Sequence, residues 1–232
     1  MNTQFPLKVI TVVLDIFGQN ARILLDPKEK SATLIDPGSN IETILALCEG
    51  YSITQVVITH AHIDHAAGVE ELIDRLPAKP TFYAHLAEAG MRQSIQLQAQ
   101  MYGLDTSVYR NVREPDIYLV EGDFLKIGLN EAKIFFTPGH SPGHIVLYFE
   151  NAYYQLDSAP AVTGPFLIAG DTLFSGSIGR TDLPGGNTQT LMKSIEEKIL
   201  SLPDATVVMS GQGPNTTVGH ERRYNPFLQK LA

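Results

Sequence analysis

Three histidines and one aspartate lie within six residues near position 60, an unusual concentration of metal-binding side chains. The segment 59–65 reads Thr-His-Ala-His-Ile-Asp-His. Neutral imidazole is a common metal ligand in proteins, and a carboxylate oxygen is a harder one. Side chains two residues apart in an extended chain point the same way, so His60 and His62 can bind one ion together. Asp64 and His65 follow where the chain turns and can face a second ion, so the spacing favours two neighbouring metals.

Local patterns predict the backbone elements that hold this segment. Residues 55–59 (Gln-Val-Val-Ile-Thr) are mostly apolar and β-branched, which is typical of a buried strand. A helix-like pattern begins at Ala66. The end of a strand is rigid enough to aim side chains, while the loop that follows lets them converge. The segment 59–65 is therefore expected to form a loop between a strand and a helix.

Two further predicted strand ends supply ligand types. His140 lies in Thr-Pro-Gly-His-Ser-Pro-Gly-His over 137–144, and Asp171 follows the apolar run 166–168 through Ala and Gly. His140 would complete a three-histidine site with the first two histidines of segment 59–65. Asp171 has two carboxylate oxygens and can bridge two cations. A fourth strand end has a similar pattern but offers the amide of Gln212.

Several polar residues near these strand ends have more than one interpretation. His144 is either a further ligand or a hydrogen-bonded loop residue. Asp36 closes a predicted strand and either accepts a proton from a ligand imidazole or forms the turn before Pro-Gly. His85 and His220 are interpreted as ordinary polar residues.

Composition limits the classes of function. The net charge of −8 and the pI of about 5.3 argue against nucleic acid as a partner, because proteins that bind it usually carry a basic patch. No apolar run approaches the ~20 residues of a membrane helix, and the N-terminus lacks the features of a secretory signal. The cytoplasm is the expected compartment. The only cysteine, Cys48, lies in a helical pattern and is expected to be a small buried hydrophobic side chain. The chain carries no pattern that specifies an oligomeric state.

The order of elements predicts an α/β fold. Strands are predicted over 7–16, 22–26, 32–36, 55–59, 81–85, 117–120, 124–127, 132–137, 145–149, 166–169 and 206–209. Helices are predicted over 41–48, 69–76, 86–102 and 187–202. Strands followed by helices, repeated once, fit two β-sheets packed face to face with helices outside, a four-layer αββα sandwich. Without a break in composition, residues 1–232 are expected to form a single domain.

Five stretches together resemble the metallo-β-lactamase superfamily. They are residues 35–38, 59–65, 137–144, 170–186 and 213–227. The narrower resemblance is to the short, single-domain glyoxalase II-like hydrolases, which lack the helical C-terminal domain of the long forms. It implies the metallo-β-lactamase fold and hydrolysis of a small-molecule thioester, typically an S-acyl-glutathione.

The resemblance also implies a role for each candidate residue. A first metal would be held by His60, His62 and His140. A second would be served by Asp64 and His65, and Asp171 would bridge the two. Zinc is the usual metal, and iron or manganese are alternatives. Asp64 would orient the attacking water and take its proton.

Two departures from the family pattern change these expectations. Gln212 stands where the family usually has a histidine that binds the second metal, and a neutral amide oxygen is a weaker zinc ligand. We therefore expect one tightly bound metal and a second that is weak or absent. The second departure is the expected absence of the helical C-terminal domain that helps the long forms bind glutathione. Arg180 occupies the position where those forms place a lysine that contacts glutathione. Its guanidinium suits a substrate carboxylate, but it could instead pair with Asp182.

Other functions are compatible with the same motifs. A related family, the mononuclear iron persulfide dioxygenases, shares the Gly-Arg-Thr-Asp element found at 179–182. A metal-binding relic without turnover is a second alternative, because Gln212 replaces a ligand. Lactonases and phosphodiesterases of the same fold are further possibilities.

Overall fold

The computed structural model describes residues 5–14 and 17–229. Within them the strands are β1 Leu7–Val13, β2 Asn20–Asp26, β3 Ser31–Ile35, β4 Ser52–Val57, β5 Thr81–Ala84, β6 Ile117–Tyr118, β7 Phe124–Ile127, β8 Asn130–Phe136, β9 Ile145–Leu156, β10 Val162–Gly170, β11 Leu173–Phe174, β12 Ser177–Ile178, β13 Val207–Ser210 and β14 Thr216–Thr217. The α-helices are α1 Ile41–Leu47, α2 Ile63–Ala66, α3 Val69–Arg75, α4 Ala89–Arg92, α5 Ile95–Met101, α6 Thr188–Ser194 and α7 Val218–Tyr224. A 3₁₀ turn, Leu86–Glu88, precedes α4, and a π-helical turn, Ile195–Ile199, continues α6.

Twelve of the fourteen strands in the described residues form one continuous hydrogen-bonded sheet in place of two separate large ones, and β11 pairs only with β12. The order of the large sheet is β14-β13-β10-β9-β1-β2-β3-β4-β5-β6, with β8 paired to β9 and β7 paired to β8. Strand β1 joins the two halves, because it runs antiparallel to β2 and parallel to the last residues of β9. The predicted pair of sheets is therefore two halves of one sheet, connected by β1.

Three apolar clusters fill the spaces between the layers. Alternate residues of a strand point to opposite faces, so Leu34 of β3 joins the cluster under α1, α3 and α5, while Ile35 joins the central cluster. In β10, Ile168 joins the same central cluster, and Leu167 joins the one under α6. The two halves of the sheet thus face each other across a shared core, with helices on both outer faces. The predicted α/β fold with four layers is confirmed.

Three of the differences from the predicted element boundaries bear on the fold. The predicted strand 7–16 ends at Val13, and its residues 15 and 16 lie outside the described part of the chain. The predicted strand 145–149 extends to Leu156, and this extension forms the seam with β1. The predicted helix 86–102 is broken into a 3₁₀ turn and two short helices.

The break has a physical cause in Arg92. This side chain is fully buried and donates to the carbonyl oxygens of Val112 and Arg113, and it pairs with Glu114 at 2.9 Å. A buried guanidinium needs such partners, and their positions override the local helical preference. Among the described helices, none has both the length and the apolar content that a membrane crossing requires.

Candidate metal centre

Loops at the ends of β4, β8 and β10 meet at one end of the central core. They bring together three histidines, all buried, whose ring nitrogens lie within 4.8 Å of one another: His60, His62 and His140. The His60 Nε2 to His140 Nε2 distance is 3.2 Å, and the His62 Nδ1 to His140 Nε2 distance is 2.9 Å. The structure therefore gathers the three histidines predicted for a first metal.

The hydrogen bonds behind two of these rings fix which nitrogen carries the proton. His140 Nδ1 donates to the carbonyl oxygen of Arg180 at 2.7 Å. The Thr59 hydroxyl donates to Asp36 at 2.7 Å, so it accepts from His60 Nδ1 at 3.1 Å. Both Nε2 atoms then turn lone pairs towards each other. Two lone pairs at this distance repel, and a cation held by both nitrogens removes that repulsion, so the donor set fits a metal.

Burial keeps the His60 and His62 rings in the form that binds metal. Desolvation, together with the neighbouring imidazole rings, lowers the pKa of His62 to about 3 and lowers that of His60 well below its usual value. His62 Nε2 is also buried and has no hydrogen-bond partner. Neutral imidazole is the metal-binding form of histidine.

Asp171 lies between this group and a second one. A carboxylate oxygen of Asp171 and nitrogens of His60 and His65 also lie within 4.8 Å of one another. Asp171 Oδ1 is 3.3 Å from His65 Nε2, and its Oδ2 is 3.7 Å from His140 Nε2. Asp171 Oδ1 and His65 Nε2 are both buried without a hydrogen-bond partner. The two oxygens are thus divided between the two groups, as a bridging carboxylate requires.

Three carboxylates surround His65. Asp36 accepts from Nδ1 at 2.9 Å, whereas Asp171 and Asp64 lie 3.3 and 3.6 Å from Nε2. Burial alone would lower the pKa of His65, but the three negative charges raise it well above its usual value. Burial likewise opposes ionisation of Asp171, yet the charge of His65 holds the pKa of Asp171 at about 2. A positive charge on this side of the cluster is electrostatically required, and either a proton or a metal can supply it.

Asp36 combines both roles considered for it. It accepts from the Thr59 backbone at 2.6 Å and from His65, so it orients two residues of the cluster. Its own backbone is left-handed, with φ of 53°, and its carbonyl oxygen accepts from Gly38 in the turn. A carboxylate behind an imidazole fixes the ring orientation and its tautomer.

Gln212 lies beside the second group and donates a hydrogen bond to it. Its Nε2 is 3.1 Å from Asp64 Oδ2, and burial raises the pKa of Asp64. A Cβ atom on the neighbouring Gly211 would lie 2.2 Å from Asp171 Oδ1, so only glycine lets this loop approach so closely. In this orientation Gln212 presents its amide donor, and not its carbonyl oxygen, to Asp64.

His144 is hydrogen-bonded through both ring nitrogens. Its Nε2 accepts from the Asp171 backbone at 3.0 Å, and its Nδ1 lies 3.0 and 3.1 Å from the hydroxyls of Thr137 and Thr172. Of its two interpretations, the structure supports the hydrogen-bonded loop residue. This ring positions the backbone of Asp171.

Sequence reasoning missed two side chains that hold the ligand loops. Glu88 is fully buried and accepts from the Ala61 backbone at 2.8 Å and from the Ser141 hydroxyl at 2.7 Å. Gln98 accepts from the Ile63 backbone at 2.9 Å and donates to the Ala61 carbonyl at 3.1 Å. Both lie in a segment with a helical pattern, where a polar residue normally faces solvent, so no local signal distinguished them.

An open cleft of about 310 Å³ leads to the cluster. It is lined by Phe17, His62, Ile63, Asp64, Gln98, Tyr102, His140, Asp171, Phe174, Ser177, Ile178, Arg180, Leu183 and Gln212. The Arg180 guanidinium is exposed and forms a bidentate pair with Asp182 at 2.7 and 2.8 Å. His85 stacks on Phe136 at 4.4 Å between ring centres, and neither it nor His220 belongs to the cluster.

Comparison with known proteins gives matches along nearly the whole chain. A model of the metallo-beta-lactamase superfamily matches residues 16–152. The hydroxyacylglutathione hydrolase GloC of Haemophilus influenzae is 32% identical over 225 residues, covering 96% of this chain and 98% of that protein. The probable metallo-hydrolase YqgX of Bacillus subtilis is 35% identical over 216 residues, which cover 90% of this chain and 92% of that protein. The structure of TTHA1623 in a di-iron-bound form superposes with a TM-score of 0.76 at 33% identity, and the match covers 97% of this chain and 100% of that one.

Proposed function

Because the chain belongs to the metallo-beta-lactamase superfamily, we propose that it is a metal-dependent hydrolase of thioesters of the S-acyl-glutathione class. One observation carries the hydrolase part of this proposal. Lone pairs of buried imidazoles converge beside Asp64 and Asp171 at the inner end of an open cleft. The name of the Haemophilus influenzae relative supports the choice of a glutathione thioester.

The assignment of ligands follows the geometry. We propose that His60, His62 and His140 hold the first metal and that Asp171 bridges to a second position served by Asp64 and His65. A divalent metal supplies Lewis acidity, which polarises a carbonyl group and lowers the pKa of water. The donor set of neutral imidazoles and carboxylates suits zinc, iron or manganese. We propose zinc in the first position and weak or absent occupancy of the second.

The chain's own residues provide orientation and proton transfer. Asp64 lines the cleft and has an oxygen held by Gln212, so its carboxylate can orient a water molecule and accept its proton. The Asp36 carboxylate fixes the ring of His65, and the Arg180 carbonyl fixes the ring of His140. These contacts leave the ligand atoms little freedom, which reduces reorganisation during the reaction.

The charge of the cleft sets a limit on the substrate. Arg180 is the one lysine or arginine among the described residues that line it. Its pair with Asp182 is exposed, with 56% and 69% of the two side chains accessible, and such a pair is worth little free energy. A glutathione carboxylate can therefore compete for the guanidinium. A thiol carrier with several phosphates would find no matching cluster of cations here.

Hydrolysis of S-lactoylglutathione by protein of known metal content tests the proposal. We expect loss of the thioester absorbance with the zinc-loaded protein and no measurable loss with His140→Ala, which removes a nitrogen shared by both short contacts. His220→Ala is the matched control, because His220 is exposed and lies outside the cluster. Full metal loading without hydrolysis of any S-acyl-glutathione would reject the proposal. Oxygen uptake with glutathione persulfide in place of hydrolysis would favour the dioxygenase.

A further inference from the structure

A second, apolar cavity opens from the same cleft. It has a volume of about 110 Å³ and shares His62, Gln98, Tyr102 and Leu183 with the cleft. Its remaining lining residues are Met91, Ser94, Leu97, Met101 and Pro184. We call these nine residues the side groove. Its inner end is therefore at His62, in the candidate metal cluster, and none of its lining residues is an acid, a lysine or an arginine.

Helix α5 forms one wall of the side groove with an exposed apolar ridge. Leu97 and Met101 are four residues apart, so they lie on one face of the helix, and their accessible fractions are 57% and 62%. Ile95 and Ala99 on another face are buried in the core beneath. Packing of the helix against the core thus accounts for the buried face only. The exposed ridge flanks a groove that already leads to the cluster.

Two polar side chains of the side groove, Gln98 and Ser94, are engaged within the protein. Gln98 uses its amide to hold the backbone of residues 61 and 63, and it also donates to the Met91 carbonyl. The Ser94 hydroxyl donates to the same Met91 carbonyl at 2.9 Å. A ligand hydroxyl beside Gln98 or Ser94 would lose its water partners and gain little in return. A hydrocarbon chain would lose nothing of this kind.

We propose that the side groove binds the acyl chain of the substrate, so that this protein prefers thioesters of apolar, hydrocarbon acyl groups to those of short 2-hydroxyacyl groups. The proposal rests on the function proposed above and adds the chemical class of the acyl part. A carbonyl group placed at the cluster has the side groove directly beside it, because His62 lines both spaces. Met91 and Met101 have flexible, polarisable side chains that adapt to chains of different shape.

The expected effect follows from the transfer of methylene groups out of water. Each buried methylene contributes about 0.8 kcal/mol, which corresponds to about fourfold in affinity. Affinity should therefore rise about fourfold per carbon until the chain extends beyond Leu97 and Met101. A lactoyl group, with its hydroxyl beside the carbonyl, would not gain this increment.

Calorimetric titration of the zinc-loaded protein with S-methyl-, S-propyl-, S-butyl- and S-hexylglutathione tests the proposal without turnover. These thioethers cannot be hydrolysed, so binding is measured even if the catalytic assignment fails. A rise of about fourfold per methylene is expected, and a change of less than about twofold over the whole series would overturn the proposal.

Two variants locate the effect. Met101→Glu adds a charge to the exposed ridge and should reduce the increase in affinity per methylene. Leu97→Gln should also reduce this increase. Leu129→Glu is the matched control, because Leu129 is equally exposed and lies outside the side groove and the cleft. If affinity depends on alkyl-chain length in both groove variants as it does in the unchanged protein, the alkyl chain binds to another surface and the proposal is overturned.

Parallel hydrolysis assays separate this inference from the function beneath it. If acetyl, hexanoyl and lactoyl thioesters are hydrolysed at equal kcat/KM and thioether affinity does not change with chain length, the proposed hydrolase function stands and the acyl preference is rejected. If thioether affinity rises with chain length but no thioester is hydrolysed, the side groove stands as a binding site and the thioesterase function is rejected. Hydrolysis that increases with acyl length, together with rising thioether affinity, is the expected result.

Discussion

At the scale of single residues, Gln212 distinguishes the two halves of the cluster. Its amide nitrogen is directed at Asp64, while the first group has three imidazole nitrogens and needs no help from it. The identity of the glutamine was evident in the sequence, and it predicted a weaker second position. The direction of its amide was not, because it depends on the approach of residues 210–213 to Asp171, about forty residues away along the chain.

Replacing Gln212 by histidine should increase the metal content. The imidazole would offer an acceptor nitrogen in place of an amide donor, so we expect about one tightly held zinc per chain before the change and about two after it. Elemental analysis after gel filtration measures both. Gln100→His is the control, because Gln100 is exposed and lies outside the cluster. Two tightly held zincs in the unchanged protein would show that Gln212 does not weaken the second position.

At the scale of elements, short helices and turns hold the ligand loops through polar contacts. The amphipathic pattern over 86–102 predicted a single helix, whereas tertiary hydrogen bonds from Arg92, Glu88 and Gln98 divide it. Each of these contacts joins residues more than fifteen positions apart. Local propensity contains no information on such partners, so the ligands could be predicted and their supports could not.

Glu88→Gln should lower both stability and metal affinity. Glu88 accepts hydrogen bonds from loops 61–63 and 141–143, and an amide would turn a donor towards one of these donors. Hydrogen bonds to a charged acceptor contribute about 1.5–3 kcal/mol, so we expect a loss of about 2 kcal/mol in the free energy of unfolding. Urea denaturation of the metal-free protein and zinc titration measure the two effects.

Glu71→Gln is the comparison for this change. Glu71 is exposed and, among the described residues, forms an ion pair with Arg75 of the same helix, so its substitution should change stability by less than about 0.5 kcal/mol. Equal effects of the two substitutions would show that Glu88 does not hold the loops.

Cys48 follows α1 and should be unreactive in the folded protein. Burial raises the pKa of its thiol to about 11, so only about one thousandth is thiolate at pH 8, and the side chain is also inaccessible. Because the folded pKa lies above the ordinary value, reactivity should appear only on unfolding or at strongly alkaline pH. Titration with a chromogenic disulfide, with and without denaturant, measures this. Rapid reaction of the native protein would contradict the burial of α1 against the core.

At the scale of the whole molecule, the layers were predictable and the seam between them was not. The order of strands followed by helices, repeated once, predicted the four-layer class, and neighbouring residues of β3, β4 and β10 are indeed buried in different clusters. The seam pairs β1 with the far end of β9, about 145 residues along the chain. Nothing in either segment specifies the other as partner, so two separate sheets were an equally consistent expectation.

Metal removal should destabilise the entire fold. The proposed ligands come from loops in both halves of the sheet, so a metal that binds only the folded chain raises its stability by linkage. At a zinc concentration of one hundred times Kd, the gain is about 2.7 kcal/mol. Thermal unfolding over a series of zinc concentrations should show a rising Tm, and magnesium, which prefers oxygen ligands, should have little effect. A Tm independent of zinc would contradict metal binding at this cluster.

The strand order of the sheet affects how the protein should behave at high protein concentration. The order begins at β14 and ends at β6, and each of these strands has two residues. Unpaired backbone groups on a long outer strand invite the addition of strands from other molecules, which starts aggregation. These two ends offer very little such backbone, and the third outer strand, β7, which pairs only with β8, has four residues. A protein built this way should tolerate crowding well for a chain with so large a sheet.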